Sequence, residues 1–582
     1  MKFNLLNYIY YIIQCIMSIK IPYTVDEIRE QFLLKNKQMP KKISLTKKYK
    51  INKYDIDKCL TRLMGFILLG KKYYANLNKH LKYLIENKRK INETTSRHKY
   101  TALHIAVINY NYCSTEYAIH KLIESKIDVN KKDAEGKTAL IHAMQNCEIM
   151  SDKNIVSMLI DAGADVNAID KHGNTALHYI FYTETNTTTT PIAIDNIIKL
   201  LLDNKADVNI KDIDGINVLH LASSNIHNIS TENTIKLLLA GNADIAQKDN
   251  DGDTALHYVS RNIDKDKMSN INIIKQLLDG KADINNTNNE GMTALHYVCK
   301  NSKTISNENI IKLLLDRKAD IDMKNNIGET ALILSAQYSN TTSNENIVKL
   351  LLERKADINK QNNEGQTALI LSALYSNTTS TEETVSLLIK SKANLNIIEN
   401  NQTIGKNALH YACRYSNKTS TENTVKLLLE GKSDINMKSN SNNTPLLFAT
   451  FWCDTDSSLK TMQILLDNKA DQNILVSPKN NNVLDWVKNI ESIELLIKYN
   501  ADIHYKNSEN KSLLEKVYEM TGKNIEYPLI KYLLDKKVYH NIPKLYKKQI
   551  ELLERRIEEK DKLYSAFKSG ISNTEGVVIG YL

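Results

Sequence analysis

One short phrase recurs along this chain of 582 residues, and it constrains the fold more than any other feature. It reads GNTALHY from Gly173, GDTALHY from Gly252 and GMTALHY from Gly291, with looser copies before and after these three. The threonine and its equivalents recur mostly about 37 residues apart, as Thr330 and Thr367 do. Self-similarity at such a period is typical of repeat proteins, in which each unit stacks on its neighbours.

A second phrase lies between the copies of the first, as in NIVKLLLERKADIN from Asn346. Its apolar residues have helical spacing and are followed by a short extended piece. The threonine of the first phrase is predicted to cap another helix, because Pro445 follows Thr444 and proline is tolerated at a first helical position. Each unit is therefore predicted to run turn, helix, loop, helix.

The chain needs a turn two residues before each threonine. Glycine fills that place in eight units, and Asn442, Asn480 and Asn510 fill it in three others. These are the residue types that tolerate a positive φ, which we predict at these positions.

These residues resemble the ankyrin-repeat family, whose signature T-P-L-H-x-A appears as TALHIA from Thr101 and as NALHYA from Asn407. The resemblance implies an all-α solenoid of helix pairs with short β-turn fingers, helical caps at both ends, and about twelve repeats over residues 99–540. The structural signature residues are then Thr101, His104, Gly136, Thr138, Gly173, Thr175, His178, Gly215, His220, Gly252, Thr254, His257, Gly291, Thr293, His296, Gly328, Thr330, Gly365, Thr367, Gly405, His410 and Thr444.

The sequence departs from the family pattern in two respects. The period is longer, with the surplus in the loop between the helices, where Thr342-x-x-Glu345, Thr379-x-x-Glu382 and Thr419-x-x-Glu422 match a capping box. The family's glycine before Ala-Asp survives only as Gly163, and lysine usually replaces it, as at Lys318. If that backbone is left-handed, each lysine costs about 1 kcal/mol relative to glycine.

The ends of the chain are less regular. Residues 54–98 resemble a degenerate capping repeat, residues 541–582 a charged helix and tail, and residues 1–53 form a basic segment without assignment. Within it, residues 1–19 suggest a weak signal peptide or anchor, unless translation starts at Met17. A secreted chain would be open to glycosylation at the NxT sequons of Asn340, Asn377 and Asn417.

Charge distribution and cysteine usage indicate which partners and which cellular compartment to expect. The first 100 residues hold 22 Lys and Arg against 7 Asp and Glu, so the basic character of the chain, +10 overall, resides there. No nucleic-acid binding is expected from the near-neutral repeat body. The seven cysteines are scattered without a CxxC pair, which fits free thiols in a reducing compartment. We expect a cytoplasmic protein, of the producing cell or its host, with membrane association or secretion as the alternative.

Six histidines invite a metal hypothesis: His104, His178, His220, His257, His296 and His410. Because each belongs to a different repeat, we expect them about 10 Å apart, the packing distance of adjacent helices, whereas zinc needs ligands at about 2 Å around one centre. The resemblance implies instead that each histidine hydrogen-bonds to the neighbouring backbone. No catalytic or nucleotide-binding motif is found, so we expect neither a metal, a cofactor nor an enzyme activity.

The sequence predicts a monomeric scaffold or adaptor for a protein partner that it cannot name. The resemblance places partner contacts on the fingers and on the concave face of the first helices. Alternatives are an ankyrin protein anchored to a membrane by residues 3–19, or an adaptor that recruits a partner through its C-terminal helix. The candidate contact residues are Tyr338, Tyr375, Arg414, Tyr415, Phe451, Trp452, Met292, Glu329, Gln366 and Lys406. The aromatic side chains among them could equally pack under the loops as framework.

Overall fold

The computed structural model of the protein divides into two compact units, residues 1–62 and 63–582. The structure describes residues 92–95, 97–108, 110, 116–145, 153–182, 191–224, 232–262, 268–301, 305–475, 481–507, 511–520 and 528–536, with single positions at 551, 555, 558 and 562. All of these belong to the second unit.

The described residues form twelve pairs of α-helices and only isolated β-bridges, which confirms the predicted all-α solenoid. The first helices of the pairs are α1 (Ala102–Ile108), α3 (Ala139–Gln145), α5 (Ala176–Tyr182), α7 (Val218–Ser224), α9 (Ala255–Arg261), α11 (Ala294–Lys300), α13 (Ala331–Gln337), α15 (Ala368–Tyr375), α17 (Ala408–Tyr415), α19 (Pro445–Phe451), α21 (Val483–Trp486) and α23 (Leu513–Met520). The second helices are α2 (Glu116–Glu124), α4 (Lys153–Asp161), α6 (Pro191–Asp203), α8 (Glu232–Ala240), α10 (Met268–Asp279), α12 (Ile305–Asp316), α14 (Glu345–Glu353), α16 (Glu382–Lys390), α18 (Glu422–Glu430), α20 (Leu459–Asp467), α22 (Ile490–Lys498) and α24 (Pro528–Asp535).

Successive first helices from α1 to α21 pack against one another, and each of those from α1 to α19 also packs against the second helix of its own pair. The first helices are almost wholly buried: in α13, all residues from Ala331 to Ala336 are inaccessible to solvent. The second helices bury one stripe, which in α14 consists of Ile347, Val348, Leu350 and Leu351. The core is therefore a continuous row of apolar side chains shared between neighbours, as expected for a repeat array.

Each first helix begins where the sequence predicts. Thr293, Thr330 and Thr367 are N-caps with extended backbone, and their side-chain oxygens accept the N–H three residues later. Thr444 caps α19 in the same way, with Pro445 at the first helical position. The hydroxyl thus satisfies one of the N–H groups that a helix leaves unpaired at its start.

The finger before each first helix is a tight turn that needs its glycine. The eight finger glycines have positive φ, from +74° to +81° except for Gly405 at +34°, and Asn442 replaces glycine at +61°. At Gly252 an added Cβ would lie 2.6 Å from the side-chain oxygen of Asn289 in the next finger. Glycine is therefore required both for the backbone and for the close approach of neighbouring fingers. Asn480 and Asn510 lie outside the described residues.

The predicted capping boxes of the second helices are wrong by two residues. The N-caps are Asn344, Thr381 and Thr421, so Glu345 and its equivalents occupy the first helical position rather than the third. The carboxylate of Glu345 instead accepts a hydrogen bond from the hydroxyl of Thr381 in the next repeat, at 2.7 Å. Thr342 in turn donates its hydroxyl to the carbonyl of Lys300 in the preceding repeat, at 2.6 Å, and so contacts its neighbour rather than its own helix start.

The surplus residues of the longer period form a second contact between repeats. The backbone and side-chain N–H groups of Asn340 donate to Thr379 O at 3.0 Å and to Thr378 O at 2.9 Å. Asn377 donates in the same way to Thr419 O and Lys418 O, both at 3.0 Å. The sequon asparagines Asn340 and Asn377 therefore use their side-chain amides to join successive loops.

Buried hydroxyl groups support these loops from below. Thr384 donates to Ser339 Oγ at 2.7 Å, and Thr461 donates to Ser416 Oγ at 2.6 Å, each across a repeat boundary. Ser380 donates to the carbonyl of Ala336 at 2.7 Å. Because buried hydroxyls are costly without partners, these pairs fix the spacing of the repeats as well as stabilising them.

The residue before Ala-Asp is left-handed in every described repeat, so the condition for a steric cost at lysine is met. Gly163 has φ of +89°, whereas lysine and asparagine replace glycine with φ between +62° and +69°. These replacements are Lys126, Lys205, Asn242, Lys281, Lys318, Lys355, Lys392, Lys432, Lys469 and Asn500. At these positions a lysine or asparagine thus has a backbone conformation that glycine would adopt without steric cost.

One repeat is shorter than the others. Its first helix, α21, has four residues and ends at Trp486, after which Val487 has extended backbone. The Lys516 ammonium of the next first helix donates to the carbonyl of Leu484 at 2.7 Å and to that of Asp485. Burial lowers the pKa of Lys516 to about 8. A lysine thus satisfies the carbonyls that the early helix end leaves open.

The predicted N-terminal segment (residues 1–53) lies outside the described residues, as do most of the capping repeat (54–98) and almost all of the C-terminal helix and tail (541–582).

Replacing Lys355 by glycine should raise the stability of the array. Glycine adopts φ of +67° without a Cβ clash, so we expect a gain of about 1 kcal/mol, measured as a higher urea midpoint or Tm. The matched control is Lys349→Gly within α14, where glycine should cost about 1 kcal/mol instead. A loss of stability in Lys355→Gly would contradict the steric argument.

Replacing Asn377 by alanine should lower stability by about 1 kcal/mol, because the carbonyl of Lys418 loses its amide donor. Thermal unfolding of the full chain measures the effect, with Lys426→Ala on the exposed side of α18 as the control. Equal stability of both variants would show that the loop contact contributes nothing.

Candidate functional site

The histidine of the repeat signature uses both ring nitrogens inside the framework. In His104, Nδ1 accepts from the backbone N–H of Thr101 at 3.0 Å, and Nε2 donates to the carbonyl of Lys137 in the next repeat at 3.1 Å. The other five do the same, donating to Ile216 O from His178, Gln247 O from His220, Met292 O from His257, Met323 O from His296 and Met437 O from His410. The implied role of these histidines in tying repeats together is confirmed.

This arrangement requires neutral imidazole, because Nδ1 accepts a hydrogen bond and only Nε2 carries a proton. Burial lowers the pKa of His104 and of His410 to about 4 and lowers the pKa of the other four as well. The signature histidines therefore have no free nitrogen for a metal or for proton transfer.

A polar residue at the base of each finger is a structural role that sequence reasoning missed. Asn325 accepts backbone N–H groups from Ile327 at 3.2 Å and from Glu329 at 2.8 Å, which closes the finger turn. Asp170 does the same for its finger and also accepts the hydroxyl of Tyr179 at 2.6 Å. The recurring Asp or Asn five residues before the threonine was the available signal.

Three of the four finger residues predicted to contact a partner are buried. Met292, Gln366 and Lys406 are only 4%, 8% and 5% exposed. Met292 packs with Tyr297 and Leu334 in a small apolar cluster. The residue type therefore varies at this position because each side chain packs against a different neighbour. Little of these three side chains is accessible to a partner.

Lys406 and Glu329 are held by neighbouring polar groups. The ammonium of Lys406 lies 3.8 Å from the Glu399 carboxylate and 4.7 Å from the ring centroid of Tyr411. Burial lowers the pKa of Lys406, and the charge of Glu399 opposes that shift. Glu329 is half-buried and accepts the side-chain N–H of Asn325 at 2.9 Å.

The aromatic residues at the ends of the first helices are half-buried, and their backbones anchor the loops. Tyr338 O accepts the N–H of Ser343 at 2.9 Å, and Tyr375 O accepts that of Ser380 at 3.0 Å. The Tyr338 side chain also packs against the cluster of Met292 and Tyr297. Tyr338 thus belongs partly to the framework, whereas its ring retains an exposed edge.

The structure brings four predicted contact residues together at the ends of α17 and α19. The guanidinium of Arg414 lies 4.7 Å from the ring centroid of Tyr415 and 4.4 Å from that of Trp452 in the next repeat. Phe451 packs edge-on against Trp452, with centroids 5.1 Å apart. A cation between two aromatic faces is favourable, and it holds all these rings in fixed positions.

Two further residues of this group come from the short repeat and were missed. Trp486 packs against Phe451 with ring centroids 5.6 Å apart, and the Lys488 ammonium lies 3.8 Å from the Phe451 centroid. Their sequence context, NNNVLDWVKN, is a weak copy of the signature, so its register gave no clear signal. We name Arg414, Tyr415, Phe451, Trp452, Trp486 and Lys488 the aromatic–cation cluster.

Metal binding, membrane crossing and thiol chemistry can each be assessed for the described residues. They contain no group of three or more His, Cys, Asp or Glu side chains placed to hold a metal ion. None of their helices combines the length and the apolar character that crossing a membrane requires. Cys299, Cys413 and Cys453 are buried free thiols, and burial raises their pKa values.

Comparison with known families identifies the repeat. The family described as ankyrin repeats (3 copies) matches residues 66–170, 111–187, 192–268, 265–362, 342–438 and 383–476. These segments cover well over half of the chain, whereas the pairs from α21 onward lie beyond them. A comparison with curated proteins finds no match.

Acidification should destabilise the array between about pH 6.5 and pH 4. The unfolded histidines bind protons below about 6.5, whereas folded His104 and His410 bind them only near 4. Stability is therefore complete above pH 6.5 and falls by about 1.4 kcal/mol for each unit of pKa difference. Urea midpoints measured across this range should fall less steeply in His410→Gln. The exposed His504→Gln control should keep the wild-type slope, and an unchanged slope in His410→Gln would contradict the assignment.

Proposed function

This chain belongs to the ankyrin-repeat family, and on that basis we propose that it is a non-enzymatic scaffold that binds a protein partner through its first-helix face. This face consists of the last turns of the first helices and the adjoining fingers. Ankyrin repeats generally mediate protein–protein interaction, which fixes the class of function. The surface, the partner and the scaffold role are our proposal.

The observation that carries the proposal is the row of half-exposed aromatic and cationic side chains on a hydrogen-bonded framework. Arg261 and Lys300 lie over tyrosine rings at the ends of α9 and α11, with the guanidinium 5.1 Å from Tyr258 and the ammonium 5.7 Å from Tyr338. The row continues through Tyr375 into the aromatic–cation cluster. Aromatic and arginine side chains held in place are the residues that contribute most to protein interfaces.

Rigidity favours binding by such a surface. The histidines, the fingers and the loops each join one repeat to the next by hydrogen bonds, so the last turns of the first helices are fixed before a partner arrives. Because these side chains lose conformational freedom when the chain folds, little further entropy is lost when a partner binds. This supports recognition by a preformed surface rather than by a segment that folds on binding.

The remaining features of the proposal are a monomeric state, no catalysis and a cytoplasmic site of action. The six signature histidines use their ring nitrogens in structural hydrogen bonds, as His296 shows. Buried free thiols such as Cys299 agree with a reducing compartment.

The proposal predicts that Tyr375→Ala combined with Tyr415→Ala abolishes partner capture without changing the Tm. The full chain and this variant would serve as baits in parallel affinity purifications read by mass spectrometry. Lys349→Ala with Lys426→Ala, on the exposed sides of α14 and α18, is the matched control and should capture the wild-type set. A fall in Tm with retained capture would assign the tyrosines to the framework and remove them from the binding surface.

A further inference from the structure

Two arginines occupy the same place in different repeats, and the structure treats them differently. Arg261 and Arg414 are each the seventh residue of a first helix, α9 and α17. The guanidinium of Arg261 lies 5.1 Å and 5.9 Å from the ring centroids of Tyr258 and Tyr297, much as that of Arg414 lies between Tyr415 and Trp452. Both guanidinium groups therefore lie close to two aromatic rings, one in their own helix or repeat and one in the next repeat.

Of the two arginines, only Arg261 is paired with a carboxylate among the described residues. Its Nη1 donates to Asp253 Oδ2 at 3.0 Å, and Asp253 is the finger residue between the glycine and the threonine. In the Arg414 repeat that finger position holds Lys406, a second cation, which is itself paired with Glu399. Among the described residues, no carboxylate lies within ion-pair distance of Arg414. The fold thus supplies an anion to Arg261, whereas the equivalent finger position beside Arg414 is filled by the buried Lys406, so a carboxylate for Arg414 has to come from outside this finger.

Two buried hydrogen-bond donors of the aromatic–cation cluster lack acceptors within the described part of the chain. Nε of Arg414 and Nε1 of Trp486 are both buried atoms without a hydrogen-bond partner among the described residues. A buried donor left unpaired costs about 1–3 kcal/mol, and more for a charged group. Both atoms are closed to solvent, so a ligand meets Arg414 through the other part of its half-exposed side chain.

The short repeat changes what lies beside the last turn of α19. Helix α21 ends at Trp486, one turn earlier than the other first helices, so no last turn of α21 packs beside the last turn of α19. Instead the exposed Lys488 lies over the rings of Phe451 and Trp452, 3.8 Å and 5.5 Å from their centroids. The aromatic–cation cluster thus combines four aromatic rings with two cations that form no ion pair within the described part of the chain.

The acidic groups nearby limit the charge that a ligand can carry. Asp454 accepts a hydrogen bond from the Asn489 side chain, and Asp485 accepts the N–H of Asn482 at 3.0 Å and is also near the Lys516 ammonium. A polyanion such as nucleic acid would be repelled by them, whereas a single carboxylate would gain both Arg414 and Lys488. The rings at the same time favour apolar side chains beside that carboxylate.

We propose that the aromatic–cation cluster binds a Glu or Asp side chain in a partner segment in which acidic and apolar residues alternate. The carboxylate pairs with the exposed part of Arg414 and with Lys488, as Asp253 pairs with Arg261, and the neighbouring apolar side chains contact Phe451, Trp452 and Trp486. This rests on the proposed function and names the class of partner sequence that one part of the first-helix face accepts.

A random peptide display library, about twelve residues long, tests this by selection on the full chain. Selection on wild-type protein should enrich Glu or Asp beside apolar residues. The two tryptophans of the chain, Trp452 and Trp486, both belong to the cluster, so their fluorescence reports binding of a selected peptide directly. Replacing the acidic residues by Gln or Asn should weaken binding about tenfold or more, and rising salt should weaken the acidic peptide alone.

The variants Arg414→Gln and Lys488→Gln should lose the same factor, whereas Arg261→Gln, whose cation is already paired, should bind like wild type. Lys488 is exposed, so its variant tests the charge even if Arg414→Gln is less stable. Selected peptides without acidic residues, equal binding by Lys488→Gln, or tighter binding of an oligonucleotide would each overturn the inference. Partner capture that depends on Tyr375 and Tyr415 but not on Lys488 would overturn it while leaving the proposed function intact.

Discussion

Each repeat of this array leaves backbone donors and acceptors at its edge that only the next repeat can satisfy. The imidazole of His296 joins its own Thr293 to the carbonyl of Met323, and Asn326 at the finger tip donates to the carbonyl of Asn289. Because unpaired buried polar groups are costly, the stacking of repeats is directional as well as hydrophobic. The helix ends, the fingers and the loops are all positioned by this one requirement, and so is every side chain on the first-helix face.

Local backbone features could be predicted from the sequence because they depend on residues close together in the chain. Thr444 before Pro445 identified a helix start, and the glycine before each finger threonine identified a positive φ. The lysines before Ala-Asp were more informative, since their φ followed from the family pattern even though lysine does not favour it.

Features that depend on a neighbouring repeat were harder to predict. The glutamate at position 345 was assigned to its own helix cap, whereas its carboxylate accepts from Thr381 about one period away. The finger residues Met292, Gln366 and Lys406 vary in identity, which suggested a surface, but variation also accompanies packing against different neighbours. Trp486 and Lys488 escaped notice because a shortened helix shifts them out of the repeat register, and only the structure shows what they approach.

The loops that lengthen the period have an evolutionary consequence. Asn340 and Asn377 make the same pair of hydrogen bonds to the loops that follow them, so the boundary between consecutive modules is nearly identical over this stretch. Unequal recombination that adds or removes one whole module there would rejoin matching edges, and the array would lengthen or shorten without exposing its interior. The spacing between side chains on the first-helix face would then change in steps of one module.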